Sequence, residues 1–188
     1  GITPIDRALK RSGARIDDLV YVSGRIGGAA GAVQQLASDR PSQELLEYYE
    51  QPSPRLSLGA LLRPLATSAI DISDGLVSDL GHILKASEVG AELDLGRIPL
   101  PDELTTLFGR EQALLLALHG GDDYELCFTV PPVAESLIEN LAKEQNIALI
   151  CIGSINDEAG VIKSEQGVAL VAAGYQHFQT AVATVAGS

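Results

Sequence analysis

Three aspartates crowd the stretch "SAIDISDGLVSDLGHIL" (Ser68 to Leu84). Asp71, Asp74 and Asp79 fall within nine positions, and the first two flank Ser73 just ahead of Gly75. Two carboxylates beside a glycine that permits a tight turn suit a hard cation. Mg²⁺ takes one or two protein carboxylates and completes its octahedron with water and substrate phosphates. The alternative is capping: Ser73 or Asp74 accepts from the first free N–H groups of the helix that follows, where acids also suit the helix dipole. Capping leaves out Asp71, expected at the end of an apolar strand where an unpaired carboxylate is costly to bury. Both readings of the stretch stand on the residues alone.

A second acidic group lies in "HGGDDYELCF", where Gly120 and Gly121 close a helix and Asp122, Asp123 and Glu125 lead into a strand. It is either a helix end with a polar strand entry or a place where backbone approaches a ligand. "GRIGGAAG" (Gly24 to Gly31) invites a phosphate-loop reading. Its glycines are spaced G-x-x-G-G-x-x-G, however, which favours a structural turn over a dinucleotide fingerprint. The Walker pattern is absent. His82, His119 and His177 lack metal-ligand spacing and read as surface or packing residues. In "ALKRSGA", Lys10 and Arg11 beside Gly13 fit either a phosphate contact or a solvated helix end.

These residues need a scaffold, and the chain supplies one. Its 188 residues are 46% hydrophobic, enough for one domain with a real core. Thirteen Lys plus Arg against 25 Asp plus Glu leave a net charge of −12. That charge argues against nucleic acid or an anionic membrane surface as partner, and implies that any phosphorylated ligand arrives with a divalent cation. Cys127 and Cys151 sit in apolar runs and read as buried free thiols of a reducing compartment. With no membrane-length run and no signal-peptide pattern, a cytoplasmic protein is expected. The first residue is Gly1 rather than Met, which suggests a piece of something longer.

Strands are expected at 19–24, 67–72, 90–95, 124–130, 147–155, 160–164 and 167–174. Helices are expected after the glycine turn at 27–38, at 42–51, at 56–62, at 76–89, at 112–121 and around Val133 to Leu141. In the 76–89 helix, Leu76, Val77, Leu80, Ile83 and Leu84 form the apolar stripe, leaving Ser78, Asp79, His82 and Lys85 on the other face. Strands and helices alternate without a repeat. The expected fold is α/β, a single layered domain with a mixed β-sheet covered by helices and a late hairpin.

"PIDRALKRSGARIDDLVYVSG", "PSPR", "SAIDISDGLVSDLGHILKAS", "GGDDYELCFTV" and "GYQHF" occur in this order over nearly the whole chain. Together they resemble the C-terminal domain of the thiamine-monophosphate kinase family, within the aminoimidazole ribonucleotide synthetase superfamily. The resemblance implies Mg²⁺-dependent transfer of a phosphoryl group from ATP to thiamine monophosphate, in a full-length homodimer. The family's N-terminal domain, which supplies further aspartates, is absent from this chain. By resemblance Asp71 and Asp74 are metal ligands, Ser73 and Arg11 contact ATP, and Asp122 and Tyr175 contact thiamine monophosphate. Two positions depart from the family pattern: Asp122 stands where Glu is usual, one methylene shorter, and "GGAAG" stands where an Asp-Ser pair is common. Other expectations compatible with the residues are an ATP-dependent ligase, a selenophosphate synthetase, or a non-catalytic nucleotide- or metal-binding module. "GGDDYEL" favours the kinase.

Overall fold

The structure, a computed structural model, describes residues 8–171. Tyr175, assigned above to the substrate, and the end of the 167–174 stretch (172–174) lie outside them. The order along the chain is β1 (Leu19–Ser23), α1 (Gly28–Gln35), α2 (Gln43–Glu50), α3 (Leu56–Leu62), β2 (Ser68–Asp71), α4 (Leu76–Ser87), β3 (Gly90–Leu93), α5 (Asp102–His119), β4 (Leu126–Val130), α6 (Glu135–Gln145), β5 (Leu149–Asn156) and β6 (Ile162–Ser164). The strands form one mixed sheet in the order β2-β4-β1-β5-β3-β6. Neighbours are antiparallel except for the parallel pair β3–β6.

The central strands read as near-continuous apolar runs because helices cover both sheet faces. Val20, Val22, Ile70, Cys127 and Ile152 face a core shared with α4 and α5, in which Leu76, Leu80, Ile83 and Leu104 are fully buried. Tyr21, Ala69, Phe128 and Leu149 face the opposite way, onto Leu58 and Leu62 of α3 and Ile138 of α6. There Tyr21 stacks on Phe128 with ring centroids 5.5 Å apart.

The expected α/β mixed sheet is therefore present, with local differences. Helix α5 starts at Asp102, ten residues before the expected apolar run, because a kink at Gly109 (φ 75°) joins a more polar segment to it. Strand β4 starts at Leu126 rather than Tyr124, since Tyr124 has φ 51°, outside the extended region. A short return after β6 pairs Lys163 with Ala169. Both cysteines are free. Cys127 is buried, and burial pushes its thiol up to about 12, whereas Cys151 is only half-buried.

Candidate functional site

Strand β2 ends at Asp71 and hands over to α4 through Ile72, Ser73, Asp74 and Gly75. Pairing with the segment entering β4 continues beyond the strands proper. The Ile72 amide donates to Glu125 O (2.7 Å), the Tyr124 amide to Ile72 O (2.9 Å) and the Asp122 amide to Ser73 O (3.0 Å). The loops that carry Asp71, Ser73 and Asp74 on one side and Asp122 on the other thus lie against each other at one end of the sheet. Gly75 (φ 108°) and Gly121 make this possible. A Cβ on Gly121 would overlap the Ser73 carbonyl, and one on Gly75 would press into the His119 backbone.

Asp71 and Asp74 are both exposed. The burial cost attributed to Asp71 from its strand does not arise, because Asp71 is the one exposed residue of β2. Capping by Ser73 or Asp74 is absent too: Gly75 occupies the position before α4, and no side chain caps it. The bonding runs the other way. Asp79, in the first turn of α4, accepts from the amides of Ser73 (2.8 Å) and Asp74 (2.9 Å) through Oδ2. Asp79 was expected on the solvent face and is instead 2% exposed. Its position carried a signal, since it lies three residues after Leu76 and four before Ile83, at the edge of the apolar stripe. Burial raises its pKa, its two amide bonds oppose the rise, and the charges of Asp74 and Asp71 add to it.

The acids of "GGDDYEL" divide by alternation. Asp122 and Tyr124 face out, and the Tyr124 hydroxyl donates to Asp122 Oδ1 (3.1 Å). That bond, foremost, raises the Tyr124 pKa, with the charges of Asp122, Asp71 and Asp74 contributing. Both residues have positive φ, 66° and 51°, uncommon for Asp and a strained exception for Tyr. Asp123 and Glu125 face in. Glu125 receives Nε of Arg55 (2.7 Å), its NH2 group (2.5 Å) and the Ser23 hydroxyl (2.5 Å). The arginine of "PSPR" is therefore an internal counter-ion, a role the residue pattern did not disclose. Asp123 accepts from the amides of Gly27 (2.7 Å) and Ala29 (3.4 Å). The glycine-rich turn ahead of α1 holds one of the chain's own carboxylates, in keeping with the structural reading of "GRIGGAAG".

Burial pushes the Asp123 carboxyl from 3.8 up to about 7, against the pull of its two amide bonds, and the charges of Glu125 and Asp122 add to the rise. The folded state therefore holds the Asp123 proton more tightly than the unfolded chain does. The stability this provides is fully present below about pH 4 and is lost as the pH rises toward 7. Across that window the loss is on the order of 4 kcal/mol. Asp123→Asn keeps an acceptor for Gly27 and has no charge to bury, so it flattens the slope. Urea unfolding midpoints from pH 4.5 to 8 measure this. An unchanged slope in the variant would place its origin elsewhere.

Beside Asp71 and Tyr124 opens a groove of about 830 Å³ between β2 and α3, with Leu9, Pro54, Leu56 and Ala60 among its apolar walls. Arg11 is not part of this assembly. Its carbonyl accepts from Ser87 Oγ (3.4 Å) at the last residue of α4, while Asp74 precedes the first. The twelve-residue helix spans about 18 Å between them. Lys10, next to it, pairs with β2 by accepting from the Ala69 amide (2.9 Å).

Atoms of Asp74, Asp79 and His82 lie within 4.8 Å of one another and form a candidate cation cluster. Asp79 Oδ2 already accepts two amides, and an imidazole is a poor partner for a hard cation. Asp71 and Asp74 are exposed carboxylates, the ligand type that Mg²⁺ takes together with water and phosphate. His119 is half-buried, which lowers its pKa, and its Nδ1 has no partner among the described residues.

Residues 15–164 match the family described as AIR synthase related protein, C-terminal domain. The chain is 43% identical over 189 aligned residues to the thiamine-monophosphate kinase of Escherichia coli (strain K12), covering 96% of this chain and 58% of that protein. A crystal structure of thiamine-monophosphate kinase from Stenotrophomonas maltophilia K279a superposes with a TM-score of 0.83 at 37% identity, over 89% of this chain and 56% of that one. A structure described as AaThiL complexed with AMPPCP and TMP superposes at 0.75 with 27% identity, over 90% and 54%. The chain spans little more than half the length of the relatives it matches.

Proposed function

The chain belongs to the AIR synthase related protein, C-terminal domain family, and from that premise we propose that it is the C-terminal part of a kinase. In this proposal the full-length protein uses ATP and Mg²⁺ to phosphorylate thiamine monophosphate, giving thiamine diphosphate. The observation that carries the proposal is the joining of two outward-facing acidic loops by the Asp122 amide and the Ser73 carbonyl, at 3.0 Å. It is supported by the kinase relatives and by the neighbour that holds an ATP analogue together with TMP.

Phosphoryl transfer between two polyanions is governed by positioning and charge neutralisation rather than covalent help. Asp71 and Asp74 would hold Mg²⁺, which when bound neutralises phosphate charge and orients the transferred group. Ser73, between them, would contact an ATP phosphate. Asp122, one strand pairing away, would contact the thiamine monophosphate side, its outward direction fixed by the strained backbone and the Tyr124 hydroxyl. Arg11 is assigned to the nucleotide on resemblance alone, because its backbone lies at the far end of α4 from both loops. A homodimeric assembly and a cytoplasmic location complete the proposal. Among the described residues no helix is long and apolar enough to cross a membrane.

ATP-dependent formation of thiamine diphosphate by the full-length protein tests the proposal, and product formation independent of thiamine monophosphate would overturn it. Tyr175 tests the substrate side separately. An aromatic face against a cationic thiazolium is worth roughly 0.5–2 kcal/mol. Tyr175→Ala is thus expected to raise KM for thiamine monophosphate about 3- to 30-fold, well beyond its effect on KM for ATP. Equal movement of both constants would mean that Tyr175 only packs the C-terminus.

A further inference from the structure

We propose that Asp79 is a positioning residue for the cation site: from inside the fold, it fixes the backbone that presents Asp71, Ser73 and Asp74. The proposal rests on the kinase reading for its consequences in turnover, and on the structure alone for the anchor itself.

A glycine-bearing loop opening onto a helix is ordinarily an anion cradle. Its free amides point at the ligand, and the helix dipole favours negative charge. Here two of those amides are already taken. Those of Ser73 and Asp74 both turn inward to one oxygen of Asp79, at 2.8 and 2.9 Å, and Asp79 is 2% exposed. With its amides occupied from below, the loop shows solvent the Asp71 and Asp74 carboxylates in place of N–H donors. The device turns a phosphate cradle into a cation holder, so that phosphate must come with its metal. The loop is closed from the other side as well, since the Ser73 carbonyl receives the Asp122 amide and the Asp79 amide donates to Gly75 O at 2.9 Å. Ser73 is therefore held at its amide by α4 and at its carbonyl by the segment entering β4.

The rival assignment for Asp79 is direct ligation, in the cluster with Asp74 and His82. Conservative substitution separates the two. An amide oxygen in Asp79→Asn still accepts from Ser73 and Asp74 but is a far weaker ligand for a hard cation. Asp79→Ala removes the acceptor altogether.

The experiment uses the full-length protein with Mn²⁺ as the probe for Mg²⁺, titrated in the presence of a non-hydrolysable ATP analogue. Amide hydrogen exchange of Ser73 and Asp74 is followed without any ligand. Loss of a side chain that orients metal ligands typically costs about 10- to 100-fold in metal affinity. We expect a loss of that size in Asp79→Ala, with faster exchange at both amides and a raised KM for Mg·ATP. In Asp79→Asn, slow exchange and most of the affinity should return, and His82→Ala should bind as the wild type does. Asp79→Asn as impaired as Asp79→Ala, or metal affinity lost in His82→Ala, would overturn the proposal in favour of ligation. Should Asp79→Ala fail to fold, Asp79→Asn and His82→Ala decide between the same outcomes. A wild-type protein that lacks kinase activity would overturn the functional reading, and the exchange measurement would still judge the anchor.

Discussion

In the full-length protein, Asp74→Asn lowers turnover by about 100-fold or more while the fold stays intact, the scale on which one preorganised charge-stabilising contact acts. Asp74 is exposed, so its charge is not part of the packing. The bond that anchors it runs from its backbone amide to Asp79, and an asparagine keeps that amide. What the variant loses is one of two carboxylates offered to a cation that otherwise relies on water and phosphate. The deficit should be greatest at limiting Mg²⁺ and ease in part as Mg²⁺ is raised. Steady-state rates over a Mg²⁺ series, beside circular dichroism, measure it. A near-normal rate at limiting Mg²⁺ would remove Asp74 from the metal site.

Expressed alone, the 188 residues fold and make no thiamine diphosphate. Folding is expected because both faces of the sheet are covered by the chain's own helices. Leu80 and Leu104 on one face, and Phe128, Leu62 and Ile138 on the other, are fully buried. Turnover is not expected, since in-line transfer needs nucleotide, acceptor phosphate and metal held together. Two exposed aspartates leave most of that arrangement to the rest of the relatives' length. The groove beside β2, with Leu56 81% exposed at its wall, is an apolar surface that should drive the fragment to self-associate. A coupled assay for thiamine diphosphate, circular dichroism and a sizing column test these three expectations. Turnover above background would show that this chain suffices, a disordered spectrum would refute an independent fold, and a monomer at all concentrations would refute the association.

Most of the architecture was legible in the sequence because its signals are local. Apolar runs such as "LVYVS" and "LCFTV" are short and β-rich, and the stripe from Leu76 to Leu84 repeats at helical spacing. Elements misplaced along the chain were those set by single backbone angles. The kink at Gly109 joined to the apolar run a polar segment for which no helix was expected, and the left-handed Tyr124 delayed the start of β4.

The candidate site divides along the same line. Residue types and spacing marked the stretches that hold Asp71, Ser73, Asp74 and Asp122, and the family resemblance alone assigned those residues roles. Their direction was not in the chain order. Whether a carboxylate meets solvent or an amide depends on which distant backbone packs against it. Asp79 and Asp123 look like their exposed neighbours, yet the fold buries them to hold the amides of Ser73, Asp74, Gly27 and Ala29. Glu125 meets Arg55 across 70 residues. Such pairings arise only when β2, β4 and the segments leading into α1 and α4 come together, because buried polar groups must find partners wherever packing puts them.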